Sequence, residues 1–143
     1  MTTTVERTYR VDAPPEAVWR LIADPANRAR AISVVDRFEQ DGEETIWHLR
    51  LPIRAIPGTI AVRTRDVERD PPRFVRFVGT SKIMSVEGEH EITAEDGKSL
   101  VRNRFRVEGK FPGVERFFER NIDSEIRDMI EHVASQLSIE HDG

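Results

Sequence analysis

Val11-Asp12-Ala13-Pro14-Pro15-Glu16-Ala17-Val18-Trp19-Arg20-Leu21-Ile22-Ala23-Asp24-Pro25 is the stretch of the chain that decides the fold. The residues that lead into it, Thr3 to Val11, have the pattern of a strand, and the double proline ends that strand. Proline is tolerated in the first turn of a helix, where its missing N–H costs nothing. A helix is therefore predicted over Glu16 to Ala23, with Asp12 as its N-cap. A shorter helix is predicted to follow over Ala26 to Arg30.

Six further strands are predicted in the middle of the chain, where strand-like segments alternate with turns. They form three hairpins: Val34 to Glu39 with Thr45 to Leu51, Thr59 to Val67 with Phe74 to Val78, and Ile83 to Thr93 with Ser99 to Glu108. The three turns carry Asp-Gly or Pro-Pro pairs, which are typical of tight connections. Two other connections, residues 52–58 and 109–113, are richer in Pro and Gly.

The last of these hairpins has a strongly specified register. A turn centred on Asp96-Gly97 pairs Glu89 with Arg104 on one face and His90 with Asn103 on the other. The first face is charged and the second is mostly apolar, so a slip of one residue would bury arginines. The sheet is therefore predicted to have one face in water and one covered face.

A long amphipathic helix, predicted over Val114 to Leu137, supplies the cover. Its apolar residues recur at steps of three and four, and charged residues occupy the opposite side. A helix of this kind is stable only when its apolar stripe packs against another element. The covered face of the sheet is the surface available to it.

The composition excludes several classes of protein. A chain of 143 residues, 34% charged and 38% hydrophobic, is typical of one globular domain spanning residues 1–143. No apolar run reaches the length of a membrane span, and the first residues lack the pattern of a signal peptide. The absence of cysteine excludes disulfides and fits a cytoplasmic protein. The net charge of −4 argues against nucleic acid as a partner.

Four features occur along the chain in a fixed order: Val11-x-Ala13-Pro14-Pro15-Glu16-x-Val18-Trp19, Asp24-Pro25, Asp70-Pro71-Pro72-Arg73 and the long last helix. In this order and spacing, nearly the whole chain resembles the START-like superfamily of helix-grip proteins, also called SRPBCC, which includes the birch-pollen-allergen fold. Residues 51–58 and the Asp-Pro-Pro-Arg turn look most like two groups within it. These are the CoxG-like group, which is associated with carbon-monoxide dehydrogenase, and the polyketide cyclase/dehydrase-and-lipid-transport group.

The resemblance implies an α+β fold of the order β-α-α-β(6)-α. Its curved antiparallel seven-stranded sheet would wrap around the long C-terminal helix, with an apolar cavity between them. Members of the superfamily include lipid and quinone carriers, hormone binders, aromatase/cyclases and co-chaperones, so the fold alone does not specify a function.

Residues that the strand alternation and the helix stripe point inward are the candidates for lining that cavity. They are Trp47, Leu49, Ile60, Val62, Phe77, Met84, Val86, His90, Asn103, Phe105, Phe118, Ile122, Ile126 and Met129. The alternative is that they pack against one another as an ordinary core, since protein interiors are close-packed. We expect a cavity because the resemblance implies one and because Gly88, opposite Phe105, leaves local space.

His90 and Asn103 are the main polar candidates, because they are predicted cross-strand neighbours on the apolar face. A buried imidazole and a buried amide need hydrogen-bond partners, and a ligand carbonyl or hydroxyl can provide one. The two side chains can instead satisfy each other or bind a water molecule. No carboxylate or nucleophile is predicted in the same layer, so no catalytic residue is assigned, and His90 as general acid or base is the alternative.

Several other polar residues are predicted to border this site. Asn121 and Glu125 lie at the edge of the helix stripe and are expected to face water, although either could reach His90. Arg76 is expected to pair outward with a glutamate of the next strand. Tyr9 is expected at the inner face or rim of the first strand, where it could hold a ligand oxygen.

Metal and cofactor sites are not expected. His48, His132 and His141 are predicted to lie outward or near the terminus, and no spacing of His or Cys typical of a metal site is present. Loops 52–58 and 109–113 expose Ile56 and Phe111 beside basic residues. They could dock transiently on a membrane or a protein partner, or they could fold over the cavity.

The sequence therefore predicts a domain that binds or carries a small lipophilic molecule, such as a lipid, an isoprenoid quinone or a polyketide-like aromatic compound. Burial of apolar surface would supply most of the affinity, with His90 and Asn103 fixing the orientation. Two alternatives stay open: a polyketide cyclase/dehydrase-type enzyme that uses His90, and a non-enzymatic maturation or interaction module for a redox enzyme. The oligomeric state is not specified by the sequence.

Overall fold

A curved seven-stranded antiparallel sheet is the framework of the protein in the computed structural model. The structure describes residues 2–32, 34–53, 56, 58–110, 113, 114, 116–121, 124, 131, 132, 135 and 137. The strands are β1 (Thr2–Val11), β2 (Val35–Asp41), β3 (Glu44–Leu49), β4 (Ile60–Asp70), β5 (Phe74–Thr80), β6 (Met84–Glu95) and β7 (Lys98–Gly109). Their order across the sheet is β1-β7-β6-β5-β4-β3-β2, so β2 to β7 form a meander and β1 adds to β7.

Two short helices connect β1 to β2, and a helical segment follows β7. The short helices are α1 (Pro15–Ile22) and α2 (Pro25–Ala31). Every described residue between 114 and 137 is helical, and this segment is the C-terminal helix. The order β-α-α-β(6)-α is therefore confirmed.

The start of α1 differs from the prediction, because Asp12 does not cap it. Pro14 occupies the N-cap position, and its side chain makes no capping hydrogen bond. Asp12 lies two residues earlier, too far back to meet the first free N–H groups, and its carboxylate is 3.8 Å from the Lys98 ammonium instead. The acceptor that caps a helix here is Asp24, whose Oδ1 accepts from the Ala26 N–H at 2.9 Å at the start of α2.

The predicted register of the last hairpin is confirmed. Glu89 faces Arg104 and His90 faces Asn103 across β6 and β7. A β-bulge in β4 was not predicted: the pairing with β5 shifts between Asp66 and Glu68, which leaves Val67 as the extra residue.

The inner face of the sheet carries two apolar clusters. The main cluster joins α2, the start of the C-terminal helix and the middle of the sheet. Its buried members are Ala29, Ala31, Trp47, Leu49, Leu51, Ile56, Val62, Phe77, Ile83, Met84, Val86, Phe105, Val107, Val114 and Phe118. The second cluster packs α1 against the other end of the sheet through Val11, Val18, Leu21, Ile22, Val75, Ile92 and Val101.

Candidate functional site

Most of the predicted lining residues meet in the main cluster. Trp47, Leu49, Val62, Phe77, Met84, Val86, Phe105 and Phe118 are buried members of it, and Ile60 packs against it. His90 and Asn103 are completely buried on the same face of the sheet. Ile122, Ile126 and Met129 lie outside the described residues.

His90 and Asn103 form one hydrogen-bonded pair. The Nδ1 of His90 lies 2.6 Å from the Oδ1 of Asn103. Because an amide oxygen can only accept, the proton of the neutral imidazole is on Nδ1 and Nε2 carries a lone pair. That Nε2 is buried and has no hydrogen-bond partner in the described part of the chain. Burial, reinforced by the nearby Arg28 charge, lowers the pKa of His90 to about 4, although the hydrogen bond to Asn103 acts in the opposite direction.

The ring of Phe77 lies at the centre of this site. It stacks on His90 with ring centroids 6.1 Å apart and an interplanar angle of 23°. It also makes edge contacts with Trp47 at 5.8 Å and Phe105 at 6.1 Å, the geometry that aromatic pairs prefer. The expectation that Gly88 leaves open space is wrong, because a Cβ at Gly88 would lie far closer to Cε1 of Phe77 than van der Waals contact allows. Gly88 and Phe77 are cross-strand partners, and the missing side chain accommodates this ring.

Arg28 is a component of the site that the sequence did not reveal. It belongs to α2, its side chain is only 5% exposed, and its guanidinium carbon lies 4.8 Å above the centre of the Phe77 ring. Its Nη2 donates to Oδ1 of Asp66. Its Nε and Nη1 are buried and find no hydrogen-bond partner among the described residues.

The β-bulge of β4 explains how Arg69 comes to lie on the same face as Asp66, which itself faces inward by the regular alternation of β4. Asp66 pairs with the inward Phe77, and after the bulge Arg69 pairs with the inward Val75. Two residues three apart therefore lie on the same face, which regular alternation forbids. Arg69 donates to Asp66 Oδ2 at 2.6 Å and to the Ala23 carbonyl at 3.0 Å. The sequence signal was an aspartate at an inward position followed by the exposed Val67.

Three side chains that contact Phe77 carry a buried polar atom without a partner in the described structure. They are Arg28 (Nε and Nη1), Trp47 (Nε1) and His90 (Nε2). Tyr9 packs against the second cluster, where burial raises its pKa to about 12 and a side-chain hydrogen bond with Asn103 acts in the opposite direction. Leaving such groups unsatisfied costs about 1–3 kcal/mol each, so their concentration on one face indicates a place for polar partners.

The bordering residues were predicted with mixed success. Arg76 pairs with Glu87 at 3.6 Å on the outer face, as expected. Asn121 is half-buried and donates to the Phe117 carbonyl at 2.7 Å. His48 lies outward, with its Nε2 2.9 Å from a Glu39 oxygen. Glu125 lies outside the described residues.

Ile56 is buried in the main cluster, which agrees with the alternative that loop 52–58 folds over the inner face and not with its exposure for docking. His132, expected to lie outward or near the terminus, is half-buried, and its Nε2 is enclosed without a partner in the described chain. His141, Arg54 and Phe111 lie outside the described residues.

A separate cleft of about 660 Å³ opens away from the main cluster. Its walls come from the start of α1, the β4–β5 turn and the end of β6, and are formed by Pro15, Glu16, Glu68, Asp70, Pro72, Arg73, Phe74, Glu91, Ile92, Thr93 and Ala94. With four carboxylates, it does not suit a lipophilic molecule. The described residues contain no group of three His, Cys, Asp or Glu arranged to hold a metal ion. None of the described helices is long and apolar enough to cross a membrane.

The model of the polyketide cyclase / dehydrase and lipid transport family matches residues 2–137. The chain belongs to this family. One of the two groups named from the sequence is thereby confirmed, whereas membership of the CoxG-like group stays a prediction. A comparison with curated proteins gives no match.

Solved structures that resemble this family member share its fold at low sequence identity. A conserved protein from Geobacillus kaustophilus has a TM-score of 0.78 and 16% identity, with 95% of each chain covered. The Zhui aromatase/cyclase from Streptomyces sp. R1128 has a TM-score of 0.70 and 16% identity, with 96% of each chain covered. A START superfamily protein from Mycobacterium smegmatis has a TM-score of 0.71 and 11% identity, covering 94% of this chain and 97% of its own. These likenesses confirm the START-like helix-grip fold.

Proposed function

We propose that this family member binds a small lipophilic molecule that carries a few polar groups, held between the inner face of the sheet and the C-terminal helix. The observation that supports this most strongly is the set of unpartnered polar atoms beside the aromatic side chains of the main cluster. An apolar wall with a few convergent polar groups is typical of small-molecule sites. Membership of a family described by polyketide chemistry and lipid transport supports the same interpretation.

His90 would orient the ligand as a hydrogen-bond acceptor. Its Nδ1–H is committed to Asn103, so Nε2 offers a lone pair toward a ligand hydroxyl. Because the pKa is about 4, the ring is neutral at physiological pH and Nε2 remains a hydrogen-bond acceptor. Asn103 acts through His90 by fixing its tautomer and ring orientation.

The same pKa argues against the cyclase alternative in which His90 is the general acid or base. An efficient acid–base group has a pKa near the working pH, and a group with a pKa of about 4 is neither protonated enough to donate nor basic enough to accept a proton well. Binding without chemistry at His90 is therefore the function we propose.

Native mass spectrometry of the purified protein, followed by thermal unfolding against a panel of lipids, isoprenoid quinones and polycyclic phenols, tests the proposal. We expect a retained ligand mass, or a rise in Tm with at least one class of the panel. A clean mass of the protein alone, together with an unchanged Tm across the whole panel, would contradict the proposal.

A pair of histidine variants tests whether the ligand lies at His90. A His90→Gln variant is expected to lose most of the Tm rise given by a ligand that carries a hydroxyl. The matched His48→Gln variant changes an outward histidine and should keep it. Equal loss in both variants, or none in either, would show that the ligand lies elsewhere.

A further inference from the structure

We infer that Arg28 is the anchor for an anionic oxygen of the ligand, so that amphiphiles ending in a carboxylate bind in preference to neutral ones. This inference rests on the proposed function, because it names the chemistry of the ligand's polar end. It adds a residue from α2 to a site otherwise built from the sheet.

The first support is the incomplete hydrogen bonding of Arg28. A guanidinium carries five N–H donors, and the structure gives this one a hydrogen bond only from Nη2, to Asp66. Its Nε and Nη1 have no partner within the described residues although the side chain is only 5% exposed. Arginine is the side chain best suited to bind carboxylates, and it does so most strongly where water is excluded.

The second support is the charge around Arg28. Asp66 is shared, since its two oxygens bind Arg28 and Arg69, so one carboxylate faces two guanidinium groups. Asp24 is the other acidic residue that acts on Arg28, but it is exposed and its carboxylate caps α2. His90, which faces the same region, is neutral at physiological pH because its pKa is about 4. Arg28 therefore shares its buried carboxylate with Arg69, and a ligand carboxylate would give it an acceptor of its own.

The third support is the kind of unpartnered atom found nearby. Trp47 Nε1 can only donate a hydrogen bond. Among the unpartnered atoms of the side chains that contact Phe77, the two nitrogens of Arg28 and Trp47 Nε1 are donors, and His90 Nε2 is the acceptor. A carboxylate accepts several hydrogen bonds at once, so it matches this set better than an alcohol or an ester does.

The fourth support is the cation–π contact of Arg28. Its guanidinium carbon lies over the Phe77 ring, 4.8 Å from the ring centre. Phe77 is fixed in turn by its contacts with Trp47, His90 and Phe105. A cation in this position is oriented before the ligand arrives, which lowers the entropic cost of binding.

The test compares decanoate, decan-1-ol and methyl decanoate by isothermal titration calorimetry at pH 7.5 on the intact protein. The three probes share one chain length and differ in the charge and donor capacity of the polar end. We expect decanoate to bind at least about tenfold more tightly than the other two, the size of effect that one hydrogen bond to a charged group supports.

Variants of α2 assign that preference to Arg28. An Arg28→Gln variant is expected to bind all three probes within about threefold of one another, and Arg28→Lys should restore part of the preference. Arg30→Gln is the matched control, because Arg30 lies on the same helix but is exposed and stacks over Phe38. It should behave like the wild type.

The outcomes separate this inference from the proposed function. If all three probes bind the wild type equally, the role of Arg28 is overturned while ligand binding stands. If neither these probes nor the lipid and quinone panel binds, the proposed function fails. If Arg30→Gln also removes the preference, the effect is one of overall charge and the inference is wrong. The wild-type comparison decides the matter even where Arg28→Gln does not fold.

Discussion

At the scale of single residues, His90 combines a fixed tautomer with complete burial. Its register position opposite Asn103 followed from the charge pattern of β6 and β7, because only one pairing keeps the arginines in water. Its effect on pH stability was not predictable, since the low pKa depends on the depth of burial and on Arg28, which comes from a distant helix.

The lowered pKa of His90 predicts a pH dependence of stability. Between pH 6.5 and about 4 the unfolded chain takes up a proton on this residue and the folded protein does not, so stability falls as the pH falls through this window. The loss amounts to about 3 kcal/mol at the lower end. Urea unfolding between pH 7 and pH 4.5 measures it. His90→Gln should show a shallower slope than the wild type, and identical slopes in the two proteins would contradict the assignment.

The single tyrosine of the chain gives a direct spectroscopic prediction. Burial raises the pKa of Tyr9 from 10.0 to about 12, so the folded protein disfavours the phenolate. Stability should therefore fall as the pH rises from 10 toward 12. Absorbance at the phenolate band, followed during alkaline titration, is expected to rise near pH 12 in buffer and near pH 10 in denaturant. A midpoint near 10 in the native protein would show that Tyr9 is exposed.

At Gly88 the sequence predicted open space, but the ring of Phe77 fills that space in the structure. Gly88→Ala is expected to displace Phe77 and to destabilise the fold by about 1–3 kcal/mol, the usual cost of overpacking. Thr93→Ala, on an exposed position of the same strand, is the control and should change stability little. Urea unfolding of both variants measures the difference. A Gly88→Ala protein as stable as the wild type would mean that the ring has room to move.

At the scale of elements, regular strands and helices were predictable, whereas the bulge of β4 and the position of α2 over the sheet were not. The alternation of β6 and β7 is uninterrupted, so it fixed their register. In β4 the bulge at Val67 reverses the phase, and a plain alternation cannot show where the extra residue is inserted. The contact of Arg69 with Asp66 depends on that bulge, and the contact of Arg28 with Asp66 depends on where α2 lies, which no local pattern encodes.

The Arg28–Asp66 pair predicts a strong coupling between α2 and β4. Asp66→Asn leaves Arg28 buried with no carboxylate beside it and is expected to destabilise the protein by about 3–5 kcal/mol. Combining it with Arg28→Met should recover part of this loss, because the uncompensated charge is removed. Glu68→Gln, on an exposed neighbouring position, is the matched control. Free energies of unfolding in urea give the double-mutant cycle, and additive losses would contradict the coupling.

At the scale of the whole molecule, the two apolar clusters of the inner face have different roles. The second cluster stabilises the fold, and the main cluster is where we propose that the ligand binds. The second cluster holds α1 against the sheet through buried members that are all apolar, and Tyr9 packs against them. The main cluster alone adjoins the unpartnered donors of Arg28 and Trp47 within the described chain. The overall order of elements and the covered face were predictable because they rest on periodicity over the whole chain. The distribution of polar atoms between the clusters was not, since it depends on tertiary packing.

Hydrogen exchange distinguishes the main cluster from the outer cleft as the place where a ligand acts. Binding of decanoate should slow exchange at amides of α2, β3, β5 and β6, which carry Arg28, Trp47, Phe77 and His90. Amides around the β4–β5 turn and the start of α1, which border the cleft, should change less because they lie in or beside the second cluster. Central strands pair on both sides and exchange slowly even without ligand, so the informative amides are those of α2, where opening is local. If exchange slows only in the β4–β5 turn and α1, the ligand lies in the cleft. If calorimetry shows binding but no amide exchanges more slowly, the ligand lies on the surface.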